Sequence, residues 1–251
     1  MKPEHMSPET FERLCLDGTI IETKGLRPAV IEHVQSDGRS IMTKFWYTRS
    51  ALSSDRVRPY AWRFIAASKE LERRGIRAPQ VFSCGVLVAQ PKTRWVRYEK
   101  LSGTPLRVIS QRDPHEVDSY RLARFIQTLH DTGIYFRALN LGNILICDDN
   151  GYGLIDVADM RFSASLSRRL RIRNLGSFCA QPGDSAYLHD GPAHAIVTAY
   201  CEAVGLDAFE VLAQVDRNVQ RRRNKMTRIR RRRGLPALKI GEYPSDQERN
   251  A

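Results

Sequence analysis

The segment from Tyr135 to Met160, YFRALNLGNILICDDNGYGLIDVADM, contains two side chains suited to holding a metal ion against a phosphate group. Asn143 and Asp156 supply an amide and a carboxylate oxygen, and Mg²⁺ takes hard oxygen ligands from proteins. The turn at residues 149–151 predicts a hairpin that returns Asp156 towards Asn143. Phosphoryl transfer requires mainly clamped phosphates, bound Mg²⁺ and an aligned acceptor hydroxyl. The spacing therefore predicts a site for that chemistry.

The order of these residues matches the motifs of protein kinases, which are a strand lysine, an H-R-D-x-x-x-x-N loop and a D-F-G turn. Lys44 lies in SIMTKFWYT, the third predicted strand, where the lysine belongs. Phe136-Arg137-Ala138 takes the H-R-D position and is followed by four residues and then Asn143. Asp156-Val157-Ala158 takes the D-F-G position. We therefore predict that Lys44, Asn143 and Asp156 bind ATP and that Asn143 and Asp156 bind Mg²⁺.

Each of these three side chains also has a simpler interpretation. Lys44 alone would be a solvated strand lysine, Asn143 could cap its loop, and Asp156 could be a turn aspartate. Asp156 follows the apolar residues GLI, and burying it without a partner would be costly, which favours a metal-binding or capping role. Glu70 and Glu72, on the helix that follows the third strand, are candidate ion-pair partners for Lys44.

Ala138 stands where a kinase carries its catalytic aspartate. Alanine cannot accept a proton, so this residue cannot act as a general base. One interpretation is slowed transfer, because the positioning and metal contributions survive, with Asp159 or Asp131 substituting in part. The other is a pseudokinase that no longer transfers phosphate. Asp159 and Arg137 are the candidate catalytic residues, and for Arg137 a role in holding the loop is the simpler interpretation.

The sequence predicts an α+β fold in two domains. Residues 17–100 contain five short segments rich in β-branched residues and one helical segment, which predicts an antiparallel five-stranded sheet with one helix. After a Gly/Pro connector, apolar residues at i, i+3, i+4 and i+7 predict a helix over residues 117–133, on which His130 is interpreted as a packed helix-end residue. We assign residues 1–101 to the N-terminal domain and residues 102–251, mainly helical, to the C-terminal domain.

Charge is concentrated near the carboxyl terminus. The chain has a net charge of +12, and residues 217–233 contribute ten Lys and Arg without an acid, so the remainder carries only +2. Such a run suits an anionic surface, either a membrane leaflet or phosphorylated lipid A–core, better than a solvated helical face. Nucleic acid is the least favoured partner, because no aromatic residues are interleaved. The predicted surface-binding residues are Arg221, Arg222, Arg223, Lys225, Arg228, Arg230, Arg231, Arg232 and Arg233.

The remaining composition is that of a soluble enzyme. No apolar run approaches the roughly 20 residues that span a bilayer, and the amino terminus has no signal-like apolar region, so we expect a cytoplasmic protein. Five cysteines are scattered without a C-x-x-C pair, which argues against a zinc site or a disulfide framework.

Four segments resemble the bacterial lipopolysaccharide-kinase superfamily, in particular its InaA-like or toluene-tolerance branch, whose relatives are the core heptose and Kdo kinases. The resemblance covers roughly residues 17–210, although no Gly-rich loop is present. It implies a protein-kinase-like bilobal fold that binds ATP and Mg²⁺, with a sugar hydroxyl of the lipopolysaccharide inner core as acceptor, at the inner membrane. The segments are RRGIRAPQVFSCG, LHDTGIYFRALNLGNILI, GLIDVADMRF and RIRNLGSF.

Overall fold

The computed structural model describes residues 1–47, 59–181, 184, 188, 192–232 and 234. The chain divides into two compact units. The first contains Met1–Ser102 together with Gly153–Asp159, a segment that the sequence prediction assigns to the C-terminal domain. The second contains Gly103–Tyr152 and the chain from Met160 onwards.

The first unit is built on a six-stranded sheet. Its elements are β1 (Glu4–Met6), α1 (Pro8–Asp17), β2 (Thr19–Lys24), β3 (Arg27–Val34), β4 (Ser40–Tyr47), α2 (Tyr60–Arg73), β5 (Val81–Leu87) and β6 (Gln90–Glu99). The strand order in the sheet is β1-β5-β6-β4-β3-β2. Neighbouring strands are antiparallel except at the edge, where β1 pairs parallel with β5. The five predicted strands and the predicted helix are confirmed, while the sixth strand was not predicted.

The two faces of this sheet are covered by different helices. Because successive side chains on a strand point to opposite faces, Lys44 and Trp46 on β4 face one way while Thr43 and Phe45 face the other. Helix α2 packs on the Lys44 face, where its Phe64 contacts the Trp46 ring at a centroid distance of 5.7 Å. Helix α1 packs on the Thr43 face. The core beneath α1 consists of Met6, Ile31, Phe45, Leu87 and Trp95.

Two local features explain the unpredicted amino-terminal elements. Ser7 caps α1 by accepting a hydrogen bond from the backbone of Thr10, and Pro8 fits the first helical position, where no amide hydrogen is needed. Gly85 on β5 allows β1 to lie close, because a Cβ there would be 2.0 Å from the carbonyl oxygen of Glu4. The sheet therefore gains an edge strand that is only three residues long.

The second unit is mainly helical, as predicted, with short strand pairs between the helices. β8 (Ile134–Phe136) pairs antiparallel with β11 (Met160–Phe162), and β7 (Thr104–Pro105) with β9 (Ile144–Ile146), after which the chain turns into β10 (Tyr152–Leu154). The predicted α+β class is thus confirmed. The helices are α3 (Leu106–Arg112), α4 (Ser119–Asp131), α5 (Arg168–Cys179), α6 (Pro192–Val204) and α7 (Ala208–Arg232).

Helix α7 carries most of the basic run. Its first turns pack through buried Val211 and Val215, and Gly176 on α5 gives Asn218 room to approach. None of the helices in the described ranges is both long and apolar enough to cross a membrane.

Candidate functional site

Lys44 forms an ion pair with Asp156 inside the first unit. Its Nζ lies 2.8 Å from Oδ1 of Asp156, although the two residues are 112 positions apart in the sequence. The lysine side chain is 16% exposed and the aspartate side chain 50% exposed. Strand β4 therefore holds the Lys44 side chain in a largely buried position, while the Asp156 carboxylate remains accessible to solvent.

The backbone holds Asp156 in an uncommon conformation. Its φ is +55°, a left-handed geometry that aspartate tolerates better than most non-glycine residues. The preceding Leu154 donates its backbone N–H to the carbonyl of Arg77 at 2.9 Å, and the following Val157 and Ala158 are buried. Anchors on both sides fix a conformation of the kind that clusters at ligand-binding sites.

The two charged groups stabilise each other in their ionised forms. The Lys44 ammonium holds the pKa of Asp156 below its ordinary value, and this attraction outweighs the effect of burial, which acts in the opposite direction. Burial alone would lower the pKa of Lys44, but the negative charge of Asp156 more than compensates and raises it. Burial also raises the pKa of nearby Tyr98 to about 12, so that phenol stays neutral at physiological pH.

The two glutamates considered as partners of Lys44 are not its partners. Glu70 binds Arg73 and Arg74, at 2.5 and 2.6 Å, because residues three and four positions apart are neighbours on a helix surface. Glu72 is exposed and forms no ion pair with any described residue. Of the possibilities left open by the sequence, neither glutamate pairs with Lys44, and its ion-pair partner is Asp156.

The loop that follows β8 is held by side-chain amides that converge on one carbonyl group. Nδ2 of Asn140 and Nδ2 of Asn143 donate to the backbone oxygen of Ala138, at 2.7 and 2.9 Å. Oδ1 of Asn140 accepts in turn from the backbone N–H of Gly142 at 2.9 Å. Asn143 thus supports the loop through its nitrogen, which directs its oxygen away from the Ala138 carbonyl.

A second brace, which the sequence did not indicate, fixes the same loop. The Asp184 side chain is fully buried and accepts from Nε of Arg107 at 2.6 Å and from the backbone N–H of Leu141 at 2.8 Å. Arg107 also donates to Oδ1 of Asn140 at 2.8 Å. No local pattern could reveal this contact, because Arg107 and Asp184 lie 77 positions apart.

A buried polar cluster supports the strand that leads into the loop. His130 is fully buried, with Nδ1 2.8 Å from the hydroxyl of Tyr200 and Nε2 3.1 Å from Oδ1 of Asn174. Nδ2 of Asn174 donates to the carbonyl of Phe136 at 2.8 Å. Burial lowers the pKa of His130 to about 4, so the imidazole is neutral at physiological pH. His130 is the packed helix-end residue that its position on α4 suggested.

The remaining candidate catalytic residues lie on different elements. Arg137 is exposed next to Ala138, and Asp159 is half-buried just before β11. Asp131 binds Arg171 at 2.6 Å, which favours a structural role for it. Catalytic roles for Arg137 and Asp159 stay predictions.

The oxygen atoms at the two metal-binding candidates suit a hard divalent cation. Nζ of Lys44 engages Oδ1 of Asp156, and Oδ2 forms no hydrogen bond with the described part of the chain. Oδ1 of Asn143 likewise has no hydrogen-bond donor there. Carboxylate and amide oxygens are ordinary Mg²⁺ ligands, so the chemistry of each residue fits the prediction.

The basic run on α7 is not uniform. Arg217, Arg221, Lys225, Arg228 and Arg232 are exposed and, at spacings of four and three, share one face of the helix. Arg231 is also exposed and Arg223 is half-buried.

Among the described residues of the run, Arg230 differs from this exposed group. Arg230 is buried, with only 8% of its surface exposed, so its assignment to surface binding was wrong. A single helix cannot expose consecutive arginines on the same side, which is why the run contains a buried member. Arg233 and the side chain of Arg222 lie outside the described residues.

No protein-family model matches the sequence, and no curated protein matches it either. Among solved structures, the chain is similar to a 2.2 Å crystal structure of WbdD, with 12% identity, a TM-score of 0.45, and coverage of 79% of this chain and 45% of that one. A complex of WbdD with a kinase inhibitor gives 17% identity, a TM-score of 0.39, and coverage of 74% and 44%.

A third structure, of WbdD described as a bifunctional kinase-methyltransferase, gives 15% identity, a TM-score of 0.40, and coverage of 72% and 42%. The chain thus spans less than half the length of each of these structures. Likeness at this level does not carry their activities to this chain.

Proposed function

We propose that this protein is a kinase-like protein that binds ATP and Mg²⁺ and acts in lipopolysaccharide core biosynthesis. The Lys44–Asp156 ion pair is the observation that carries the proposal, because it joins the two charged residues that the kinase motif order singles out. A functional pairing explains why strand β4 presents a lysine towards a solvent-accessible carboxylate in a left-handed turn. Residues 1–101 and 102–251 are, in this proposal, the two lobes of a kinase.

Each residue has a defined task in the proposed site. The Lys44 ammonium neutralises phosphate oxygens of the nucleotide, and the carboxylate of Asp156 and the amide oxygen of Asn143 hold Mg²⁺. Mg²⁺ would supply charge neutralisation at the phosphates. The hydrogen bonds from Asn140 and Asn143 to the Ala138 carbonyl keep Asn143 oriented without help from a ligand.

Transfer to a sugar would form a bond between the acceptor hydroxyl oxygen and the γ-phosphorus and would break the bond to ADP. The hydroxyl proton must leave, and Ala138 cannot accept it. In a loose transition state this proton moves late, so positioning and charge neutralisation alone sustain slow transfer. Asp159 is the candidate for partial replacement of the base.

A pseudokinase is the second candidate function. Ala138 is the specific observation that favours it, because the residue used only in the chemical step is the one replaced. Such a protein would bind the nucleotide and act as a regulatory or binding module at the inner membrane. The two candidates share the ion pair and differ only in turnover.

The exposed face of α7 supports association with an anionic surface. Its five cations, spaced along about four turns, would meet a cytoplasmic leaflet or a phosphorylated lipid A–core, and each cation near such a surface contributes about 1 kcal/mol. Such association would bring the proposed enzyme close to its acceptor. Binding to nucleic acid is less favoured, since no aromatic side chain interrupts the exposed cations.

Phosphate transfer from γ-labelled ATP to purified lipopolysaccharide core tests the proposed activity. The native protein should label the core slowly, and Asp156→Asn should label none, because it removes the carboxylate while keeping the side-chain shape. Nucleotide binding without any labelling would support the pseudokinase. A folded native protein that neither binds nucleotide nor labels the core would refute both candidates.

Flotation with phosphatidylserine-containing liposomes tests the surface assignment. Replacing Arg221, Lys225, Arg228 and Arg232 by Gln should weaken binding by about a thousandfold, and raised salt should weaken binding of the native protein. A control removes four cations that are exposed elsewhere. If both variants lose binding equally, net charge rather than the α7 face is responsible. The control positions are Lys2, Lys69, Lys92 and Arg124.

A further inference from the structure

The face of the sheet opposite Lys44 contains a cavity that the proposed activity does not use. Its volume is about 350 Å³, and it lies between α1 and strands β3 to β6, within the first unit. Cavities of roughly 300–1,000 Å³ accommodate small-molecule ligands. On the sheet, the lining residues His33, Thr43 and Arg97 each lie two positions from a residue of the hydrophobic core and therefore share its face.

The cavity wall is positively charged. Arg13 from α1 and Arg97 from β6 both line it, together with His33, and neither arginine forms an ion pair with a described acid. Arg97 instead lies over the Trp95 ring, with its guanidinium carbon 5.4 Å from the ring centroid. Asp17 is the single acid in the wall. Two guanidinium groups facing one carboxylate leave an excess of positive charge.

The sheet face beneath the cavity carries small polar groups. Thr43 and Ser83 each pair directly with Arg97 across neighbouring strands, so the three side chains stand in one row on the same face. The Ser83 hydroxyl is buried and has no hydrogen-bond partner among the described residues. Of these two hydroxyl residues, Thr43 lines the cavity and Ser83 lies outside its lining.

Other residues of the wall are apolar. Leu14 from α1, buried Ile41 from β4 and the ring of Phe82 from β5 line it. Phe82 is 48% exposed, which is a large exposure for an aromatic side chain on a sheet strand. A ligand that stacked on this ring would bury apolar surface while an anionic group reached the arginines.

We propose that this cavity binds a small amphipathic anion, with a phosphate or carboxylate group on Arg13 and Arg97 and an apolar or aromatic body against Phe82 and Ile41. The site is separate from the Lys44–Asp156 pair, because Thr43 and Lys44 point to opposite faces of β4. Planar guanidinium groups bind phosphate and carboxylate through paired hydrogen bonds, which explains the choice of anion. A ligand bound in this cavity would contact both α1 and the sheet.

Titration of the full-length protein with 1-naphthyl phosphate tests the proposal, using calorimetry. Saturable binding is expected, with 1-naphthol and inorganic phosphate each binding at least tenfold more weakly. Arg13→Gln should weaken binding by about tenfold, because it removes a charge-assisted hydrogen bond. Arg13 is exposed on α1, so this variant should fold, which its melting temperature and circular dichroism spectrum would verify.

The control variant Arg94→Gln removes a cation from β6, the strand that contains Arg97, but on the face opposite to Arg97. The affinity of this variant for the probe should equal that of the native protein. Asp156→Asn, which disrupts the proposed nucleotide site, should also bind the probe with native affinity, so failure of the nucleotide proposal would not affect this result. No binding of the probe by folded protein would overturn the proposal. Equal weakening by Arg13→Gln and Arg94→Gln, or equally tight binding of 1-naphthol, would overturn it as well.

Discussion

The Lys44–Asp156 pair and the loop from Phe136 to Asn143 each match part of the kinase motifs, but they differ in which functional groups are present. The pair keeps two ionised groups in direct contact at 2.8 Å. The loop keeps its hydrogen-bonded framework, while residue 138 has no side chain able to exchange a proton. In the proposed site, the groups that would position a phosphate and the group that would assist its transfer are therefore separable.

The loop tolerates alanine because nothing in its framework uses the side chain of residue 138. Both amides that reach this residue bind its carbonyl oxygen, and Asp184 binds the backbone of Leu141. A backbone-based framework keeps its shape whichever side chain stands at position 138. The comparison thus predicts that chemistry can be altered here without loss of the fold.

Restoring the carboxylate should have the largest effect. If the native protein transfers phosphate slowly, Ala138→Asp should raise the rate by about 10²–10⁴-fold, the usual contribution of a positioned acid or base. Labelling of lipopolysaccharide core by γ-labelled ATP would measure it. The melting temperature of the variant must first equal that of the native protein, because a new carboxylate without a partner can destabilise a loop.

A lower rate in the stable Ala138→Asp variant would mean that the acceptor is activated elsewhere, and Asp159→Asn would then be the next change to measure. Nucleotide binding by both proteins, without transfer by either, would leave the pseudokinase as the function of this fold.

The brace on the loop should matter for stability rather than for chemistry. Asp184→Ala removes the carboxylate that binds Arg107 and leaves the buried backbone N–H of Leu141 without its acceptor, which should cost about 3 kcal/mol of unfolding free energy. Urea denaturation would measure this. Glu210→Ala is the matched control, because Glu210 binds Arg168 at the same 2.6 Å distance but at the surface.

Breaking that exposed pair should change stability by at most about 1 kcal/mol. Equal losses from the two substitutions would show that the Arg107–Asp184 contact does not brace the loop.

The cluster behind the loop should make stability depend on pH. His130 has a folded-state pKa of about 4, below the ordinary 6.5, so the unfolded chain binds the proton first as the pH falls. Its contribution is complete above about pH 6.5 and disappears as the pH falls towards 4, a loss of about 3 kcal/mol. Denaturation at several pH values would show this slope.

His130→Gln should remove the slope between pH 6.5 and 4, although the variant will be less stable throughout. His115→Gln, at an exposed position, should keep it. An unchanged slope in His130→Gln would assign the pH dependence to other groups.

The sequence predicted those parts of the site that depend on local pattern. The order of the motifs assigned Lys44 to the third strand, and the spacing of the loop assigned Asn143. The Lys44–Asp156 contact could not be predicted, because it joins residues 112 positions apart and competes with two nearer glutamates. The Arg107–Asp184 brace is hidden for the same reason.

Other misses have different causes. Ser7 and Pro8 form a recognisable helix start, so α1 is predictable from the sequence. Strand β1 has only three residues and gives no periodic signal. The burial of Arg230 was missed because a run of like charges suggests uniform exposure, whereas helical geometry turns one of its members inwards.

The thermal response to Mg²⁺-ATP tests the central claim most directly. Without ligand, Asp156→Asn should be less stable than the native protein, because the largely buried Lys44 ammonium loses its counter-ion. Millimolar Mg²⁺-ATP should raise the melting temperature of the native protein, since a ligand that binds only the folded state stabilises it by about 2.7 kcal/mol at a hundred times its Kd. The variant should show no such rise. A native protein that does not respond, or an Asp156→Asn variant that responds equally, would contradict the assignment of the Lys44–Asp156 pair as a nucleotide site.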